Sequence, residues 1–343
     1  LAAVAAETPE QAEAALDLIR VDFHRLRAAT TTDQALGRRA PRIHSECDDN
    51  VAFDLHRVYG DPRDARVRAT TTVSGSYRYP RVSHLCMEVH AIVARWEDVL
   101  GRLDLWASTQ APYFVRKELA HVLDLDMDQI HTHDVAVGGG FGAKAKACQH
   151  EAIAAALSMQ SGRPVRLVLD RAEEFTTTHT RHQFDIDLTT GATAQGQLTH
   201  RDSRMVIDNG AYNHHGPAVA GFASMLPAAL YRVQAAETRI KLVYTNIQPG
   251  SSFRGFANAQ ITFAMESQLD ELADELGIDP IEFRIKNAHV SGDETLTGWR
   301  LESARLVECL EAVRDAIGWS EKRSAGGSGR GVGVAAAIHP SAA

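Results

Sequence analysis

Three observations predict an α+β fold. Short alternating segments that suit β-strands and 3.6-periodic segments that suit helices follow one another along the chain. They lack the regular strand–helix–strand rhythm of a doubly wound sheet. The 343 residues, 44% of them hydrophobic and 23% charged, exceed what one core normally supports, so two or more domains are expected.

The elements follow in order. A helix is predicted over 8–28, with Thr8 as cap, Pro9 in the first turn and Ala12, Ala15, Leu16 and Ile19 on one face. An Arg- and Asp-rich stretch from about Thr30 to Arg66, broken by Gly60-Asp61-Pro62, reads as a long connection. Strands are predicted at 70–73, 89–94 and 103–107, then a helix at 112–123. A strand at 133–137 runs into Gly138-Gly139-Gly140-Phe141-Gly142-Ala143-Lys144, followed by a helix over about 146–160 that stops at Gly162. After a strand at 165–169, residues 182–208 alternate like a hairpin around Thr190-Gly191. The firmest helix spans 259–276, where Ile261, Met265, Leu269, Leu272 and Leu276 form one stripe. A short helix opens at Pro280, another helix runs from about Ser303 to Ile317, and residues 331–338 read as a strand.

Composition excludes several functions. A net charge of -8 argues against binding along a nucleic-acid backbone, which needs a dense basic surface. The four cysteines (Cys47, Cys86, Cys148, Cys309) are far apart and form no iron–sulfur or zinc-ribbon pattern. They suit a reducing, cytoplasmic setting. No apolar run approaches the length of a membrane span. Leu1 is not an initiator Met and both ends read as strands, so both are expected to lie inside a larger fold.

Chemistry points first to Gly138–Lys144. Several glycines around an aromatic imply close backbone approach to a ligand, and free N–H groups at a helix start suit an anion. The loop fits neither a P-loop, since Ala145 follows Lys144, nor the dinucleotide fingerprint. The second signal is Ser251–Ala257, where Arg254 stands between Phe253 and Phe256 and could present its guanidinium to an anion. His84, Cys86, Glu88 and His90 would share one face of a strand, but that row is too long to surround one ion, and no metal site is expected from it alone. No G-x-S-x-G or H-E-x-x-H motif supports a hydrolase.

Together the motifs resemble one family. Ser83–His90, Ser108-Thr109-Gln110-Ala111-Pro112, Gly138–Lys144, Gly162–Val165, Phe253-Arg254-Gly255-Phe256, Glu275–Pro280 and Arg284–Asn287 occur in the order and spacing of the molybdenum-cofactor subunit of the xanthine dehydrogenase/aldehyde oxidoreductase (molybdenum hydroxylase) family. The resemblance covers nearly the whole chain. It implies the tail of an α/β hammerhead domain at 1–30 and a connecting segment at 31–67. A first cofactor-binding domain would fill 68–318, and a linker with the start of a second would occupy 319–343. The remainder of that second domain would be truncated or on another chain.

The resemblance also implies the site. Gln110 would contact the apical oxo ligand, with Arg254 and Phe256 beside the reacting centre. Gly139, Gly140, Phe141, Gly142, Ala143, Arg254 and Gly255 would line a molybdopterin, in its cytosine dinucleotide form. No protein ligand to molybdenum is implied, because the pterin dithiolene holds the metal. The implied chemistry is hydroxylation of an aldehyde, N-heterocycle or aromatic substrate with oxygen from water. Electrons would leave to 2Fe-2S clusters and FAD on iron–sulfur and flavin partner subunits, and the general base would lie beyond Ala343. Ala145 replaces the Glu of purine-oxidising members, and no Arg occurs at 225–228, which disfavours xanthine. Phe253–Ala257 lacks the Cys of carbon monoxide dehydrogenases. A dehydroxylating enzyme like 4-hydroxybenzoyl-CoA reductase, a non-catalytic structural half-subunit and, more weakly, a phosphate-dependent enzyme using Gly138–Lys144 stay open as alternatives.

Overall fold

A computed structural model describes residues 1–324 and 329–339. The chain divides into two interleaved units, residues 1–29, 82–181 and 246–254 in the first and 30–81, 182–245 and 255–343 in the second. The mixture of helices and sheets bears out the α+β expectation.

In the first unit, a four-stranded sheet runs in the order Ile130–Thr132, Arg102–Ala107, Ala91–Glu97, Val165–Val168. Only the first pair is parallel. The helices Pro112–Leu123 and Gln149–Ser161 supply the rest of its core, where Val115, Leu119, Ala154 and Ala155 meet Ile92, Leu103, Leu105 and Ile130. Pro112 opens the first helix because its missing N–H costs nothing there. Gly162 closes the second in the left-handed conformation that the sequence predicts for a glycine. A two-stranded parallel ribbon pairs Thr180–Arg181 with Gly250–Ser251.

In the second unit, a five-stranded sheet runs Val51–Tyr59, Ala235–Tyr244, Leu198–Gly210, Gln183–Ala192, Thr71–Tyr79. The helix Asn258–Leu276 lies against it. Of the expected stripe, Ile261, Met265, Leu269 and Leu272 are buried, each contributing about 2 kcal/mol. Arg284, from the helix Pro280–Asn287, is fully buried against it. Its guanidinium donates to Glu266 Oε2 at 2.8 Å, to Asp270 Oδ1 at 2.7 Å and to the Glu266 carbonyl at 3.0 Å.

Several elements differ from expectation. The first helix spans only Pro9–Leu16, capped by Thr8 and Gln11, because it buries no residue and a short helix needs packing to extend. The polar stretch before residue 67 contains the nine-residue strand Val51–Tyr59, whose Phe53 and Leu55 reach the core. Pairing stops at Thr132, so 133–137 form no strand. The hairpin turns at 193–197, since Gly191 is paired with His200 inside the ladder. Residues 331–338 enter no ladder among the described residues, although Val332 and Val334 pack near Trp319. Among the described residues no helix is long and apolar enough to cross a membrane.

The Arg284 network sets a stability expectation. Arg284→Leu leaves the Glu266 carboxylate buried without its cation, and unfolding free energy should fall by about 3–5 kcal/mol. Denaturant titration checks this; an unchanged midpoint would contradict it.

Candidate functional site

The site in the first unit is built around one carboxylate. Glu88 follows an irregular segment in which Leu85 has φ 52, and its Oε2 collects three donors. Lys144 Nζ lies at 2.5 Å, Ser108 Oγ at 2.5 Å and the Gly138 N–H at 2.8 Å. Lys144 Nζ also donates to Ser108 Oγ at 2.8 Å, and its side chain is wholly inaccessible to solvent. Glu88 therefore ties both ends of the glycine loop to one point. Burial pushes its carboxyl up, but the Lys144, Ser108 and Gly138 donors together overcome that, and it titrates below the usual 4.5.

Between those anchors the loop is held by Gln110, which sits after the strand Arg102–Ala107 and just before Pro112. Its backbone N–H donates to the Lys144 carbonyl at 2.8 Å, and its Oε1 accepts from the Gly142 N–H at 2.9 Å. That bond occupies Oε1 and leaves Nε2 without a partner among the described residues. A Cβ at Gly140 would lie 2.2 Å from Gln110 Oε1, so a larger residue there would displace the carboxamide from the Gly142 N–H. Gly142 has φ 106, and a Cβ there would stand 2.6 Å from the Ser252 carbonyl. Phe141, a non-glycine residue, is held at φ 51 with its ring half exposed. Its carbonyl accepts from the Arg254 N–H at 2.8 Å.

This conformation leaves the N–H groups of Gly139, Gly140 and Phe141 without an acceptor among the described residues. Successive amides in such a turn make a concavity for an electron-rich group. The fit to a molybdopterin rests on this donor row and on the unpaired Gln110 Nε2. The Arg254 guanidinium is exposed and has no partner among the described residues.

The structure thus brings Gln110, Gly139, Gly140, Phe141, Gly142, Ala143 and Arg254 into one unit. Gly255 and Phe256 belong to the second. There Phe256 has φ 41, and its ring meets Phe222 edge-on at 6.1 Å. The aromatic beside Arg254 serves a different cation, since Phe253 stacks on His84 at 4.1 Å and has Arg181 4.0 Å from its ring centroid.

Two further expectations need correction. The glycine loop does not open a helix, because the next helix starts at Gln149; its donors are turn amides and not a helix terminus. Lys144 is consumed by Glu88 and cannot reach a phosphate. The His84–His90 row is not an extended strand. His84 Nε2 lies 2.7 Å from the Ser252 carbonyl, Cys86 Sγ donates to the Gly140 carbonyl at 3.4 Å, and His90 Nδ1 pairs with Glu174 at 2.9 Å. Four separate partners replace one shared ion. The Glu88–Lys144–Ser108 clamp was not recognised in the sequence. All three residues stand within quoted motifs, but nothing local says that 56 residues of separation bring Lys144 onto Glu88.

The fold and loop define an α+β protein that offers backbone donors and a carboxamide to an acceptor-rich group. The chain belongs to the molybdopterin cofactor-binding domain family, whose model matches residues 43–288. It is 35% identical to the xanthine dehydrogenase molybdenum-binding subunit of Escherichia coli O157:H7, over 98% of this chain and 45% of that protein. It is also 35% identical to the nicotinate dehydrogenase large molybdopterin subunit of Eubacterium barkeri, over 92% of this chain and 73% of that one. Among solved structures, the aldehyde oxidoreductase of Desulfovibrio gigas matches with a TM-score of 0.88 at 28% identity, over 94% of this chain and 36% of that one. The chain thus spans less than half of the E. coli subunit and about a third of the aldehyde oxidoreductase.

Glu88→Gln removes the carboxylate that pairs directly with buried Lys144 and should cost about 3–5 kcal/mol. Because the Glu88 pKa is lowered on folding, its stabilisation is complete above pH 4.5 and is lost as pH falls through the folded value. Unfolding measured against pH should show that acid loss in the wild type and a smaller one in Glu88→Gln. Equal slopes would contradict the clamp.

Proposed function

We propose that this chain forms the molybdenum-cofactor-binding part of a multi-subunit oxidoreductase that hydroxylates an aldehyde, N-heterocycle or aromatic substrate. The cofactor is proposed to be molybdopterin in its cytosine dinucleotide form. Iron–sulfur and flavin subunits would carry 2Fe-2S and FAD, and a second cofactor-binding domain would complete the site. The row of unpaired amides at Gly139–Phe141 beside the unpaired Gln110 Nε2 carries this reading.

The bound molybdopterin would supply two-electron oxidation with oxygen drawn from water. The chain's own residues bind and orient. Gln110 donates through Nε2, held in place by the Gly142 N–H on its other end. The Gly139–Phe141 amides donate along the loop, and the Arg254 guanidinium supplies positive charge to an anionic part of cofactor or substrate. Glu88 is no proton acceptor, since its three donors hold it ionised and occupied.

The relatives' names span xanthine and nicotinate, so the substrate class rests on Ala145, a small apolar side chain beside the loop. It offers no hydrogen bond to a purine and favours an aldehyde or a less polar heterocycle.

Gln110→Ala should keep molybdenum and pterin while turnover falls by about 100-fold. The assay uses the assembled enzyme, an artificial electron acceptor and a panel of aldehydes, N-heterocycles and aromatic acyl-CoA esters. Normal turnover in Gln110→Ala would remove its assigned role. Absence of molybdenum and pterin from the wild-type complex would remove the function itself.

A further inference from the structure

Two buried side chains of the first unit, His84 and Arg181, have no task in the proposed function. His84 is 8% exposed and Arg181 5%, so neither is a solvated surface group. Both close on Phe253, the residue before Arg254. The His84 ring stacks on the Phe253 ring at 4.1 Å with an interplanar angle of 16°. The Arg181 guanidinium carbon lies 4.0 Å from the centroid of the same ring. Two planar groups therefore pack on one aromatic side chain, a cation–π contact among them.

Hydrogen bonds fix the backbone on either side of that ring. His84 Nε2 donates to the Ser252 carbonyl at 2.7 Å, and Arg181 Nη2 donates to the Arg254 carbonyl at 2.8 Å. The Arg254 N–H donates to the Phe141 carbonyl at 2.8 Å. Ser251 pairs with Arg181 in the short parallel ribbon, which sets the register of the two segments. Burial above all pushes His84 down to about 4, so the ring is neutral at ordinary pH and does not repel Arg181. The Arg254 backbone is thus held through its N–H, its carbonyl and the preceding side chain. Its guanidinium is exposed, with no partner among the described residues.

We propose that His84, Phe253 and Arg181 are positioning residues for the Arg254 guanidinium, which acts on an anionic group of the molybdopterin. This inference rests on the cofactor reading given above. The bond from the Arg254 N–H to the Phe141 carbonyl places Arg254 directly against the Gly139–Phe141 donor row, so cation and amides serve one ligand. A guanidinium binds an anion through a rigid fork of N–H groups, and its strength depends on where the fork is held. Fixing the backbone before the ligand arrives removes part of the ordering cost of binding. His84, Phe253 and Arg181 act through Arg254.

Pterin release from the assembled enzyme tests this, followed by fluorescence of the released pterin after oxidation. Arg254→Ala, Phe253→Leu and His84→Gln should each speed release about tenfold, since misplacing a binding group forfeits much of its effect. Double variants supply the decisive comparison. Phe253→Leu or His84→Gln added to Arg254→Ala should release pterin no faster than Arg254→Ala alone. Phe253→Tyr, which keeps the ring, should stay within about twofold of wild type. Effects that multiply in the double variants would overturn the proposal, as would wild-type release in Arg254→Ala or release from Phe253→Tyr as fast as from Phe253→Leu. If Phe253→Leu fails to fold, His84→Gln carries the comparison, because Gln still offers an N–H to the Ser252 carbonyl. A wild-type enzyme without molybdenum and pterin removes the proposed function as well. Pterin-bearing wild type with multiplying variants removes this inference alone.

Discussion

The loop geometry depends on one carboxylate. Glu88 receives the Lys144 ammonium, the Ser108 hydroxyl and the Gly138 N–H on a single oxygen. An ammonium with no solvent contact is tolerated only beside a counter-charge with further hydrogen bonds, and Ser108 and the Glu88 carbonyl complete that set. Since Gly138 and Lys144 are the two ends of the loop, the same interaction that neutralises a buried charge also closes the loop. The residues between can then hold positive φ at Gly139, Phe141 and Gly142, conformations that a free chain seldom populates.

Closing the loop determines what it can bind. With Gly142 N–H on Gln110 Oε1 and Phe141 carbonyl on the Arg254 N–H, the remaining donors are the amides of Gly139–Phe141 and the Gln110 Nε2. Such a surface offers donors and no strong base. It suits a cofactor rich in acceptors that brings its own redox chemistry.

Much of this was legible in the sequence where the cause is local. Pro112 and the alternation before it place Gln110 between strand and helix, and the stripe from Ile261 to Leu272 places its helix. Gly162 ends a helix because only glycine is relaxed there. Where the cause is a distant partner, the sequence was silent or misleading. Nothing near Lys144 in the sequence reveals Glu88, and nothing near Glu88 reveals Lys144. The strand Val51–Tyr59 was hidden by its Arg- and Asp-rich surroundings, although Phe53 and Leu55 carry its alternation.

The most direct test of the clamp is the molybdenum and pterin content of Glu88→Gln in the assembled enzyme. Arg284→Leu serves as a control of comparable stability loss in the second unit. If the clamp shapes the loop for the cofactor, Glu88→Gln loses most of its molybdenum and pterin while folded Arg284→Leu keeps both. A Glu88→Gln enzyme with a full complement, or equal losses in the two variants, would contradict the account.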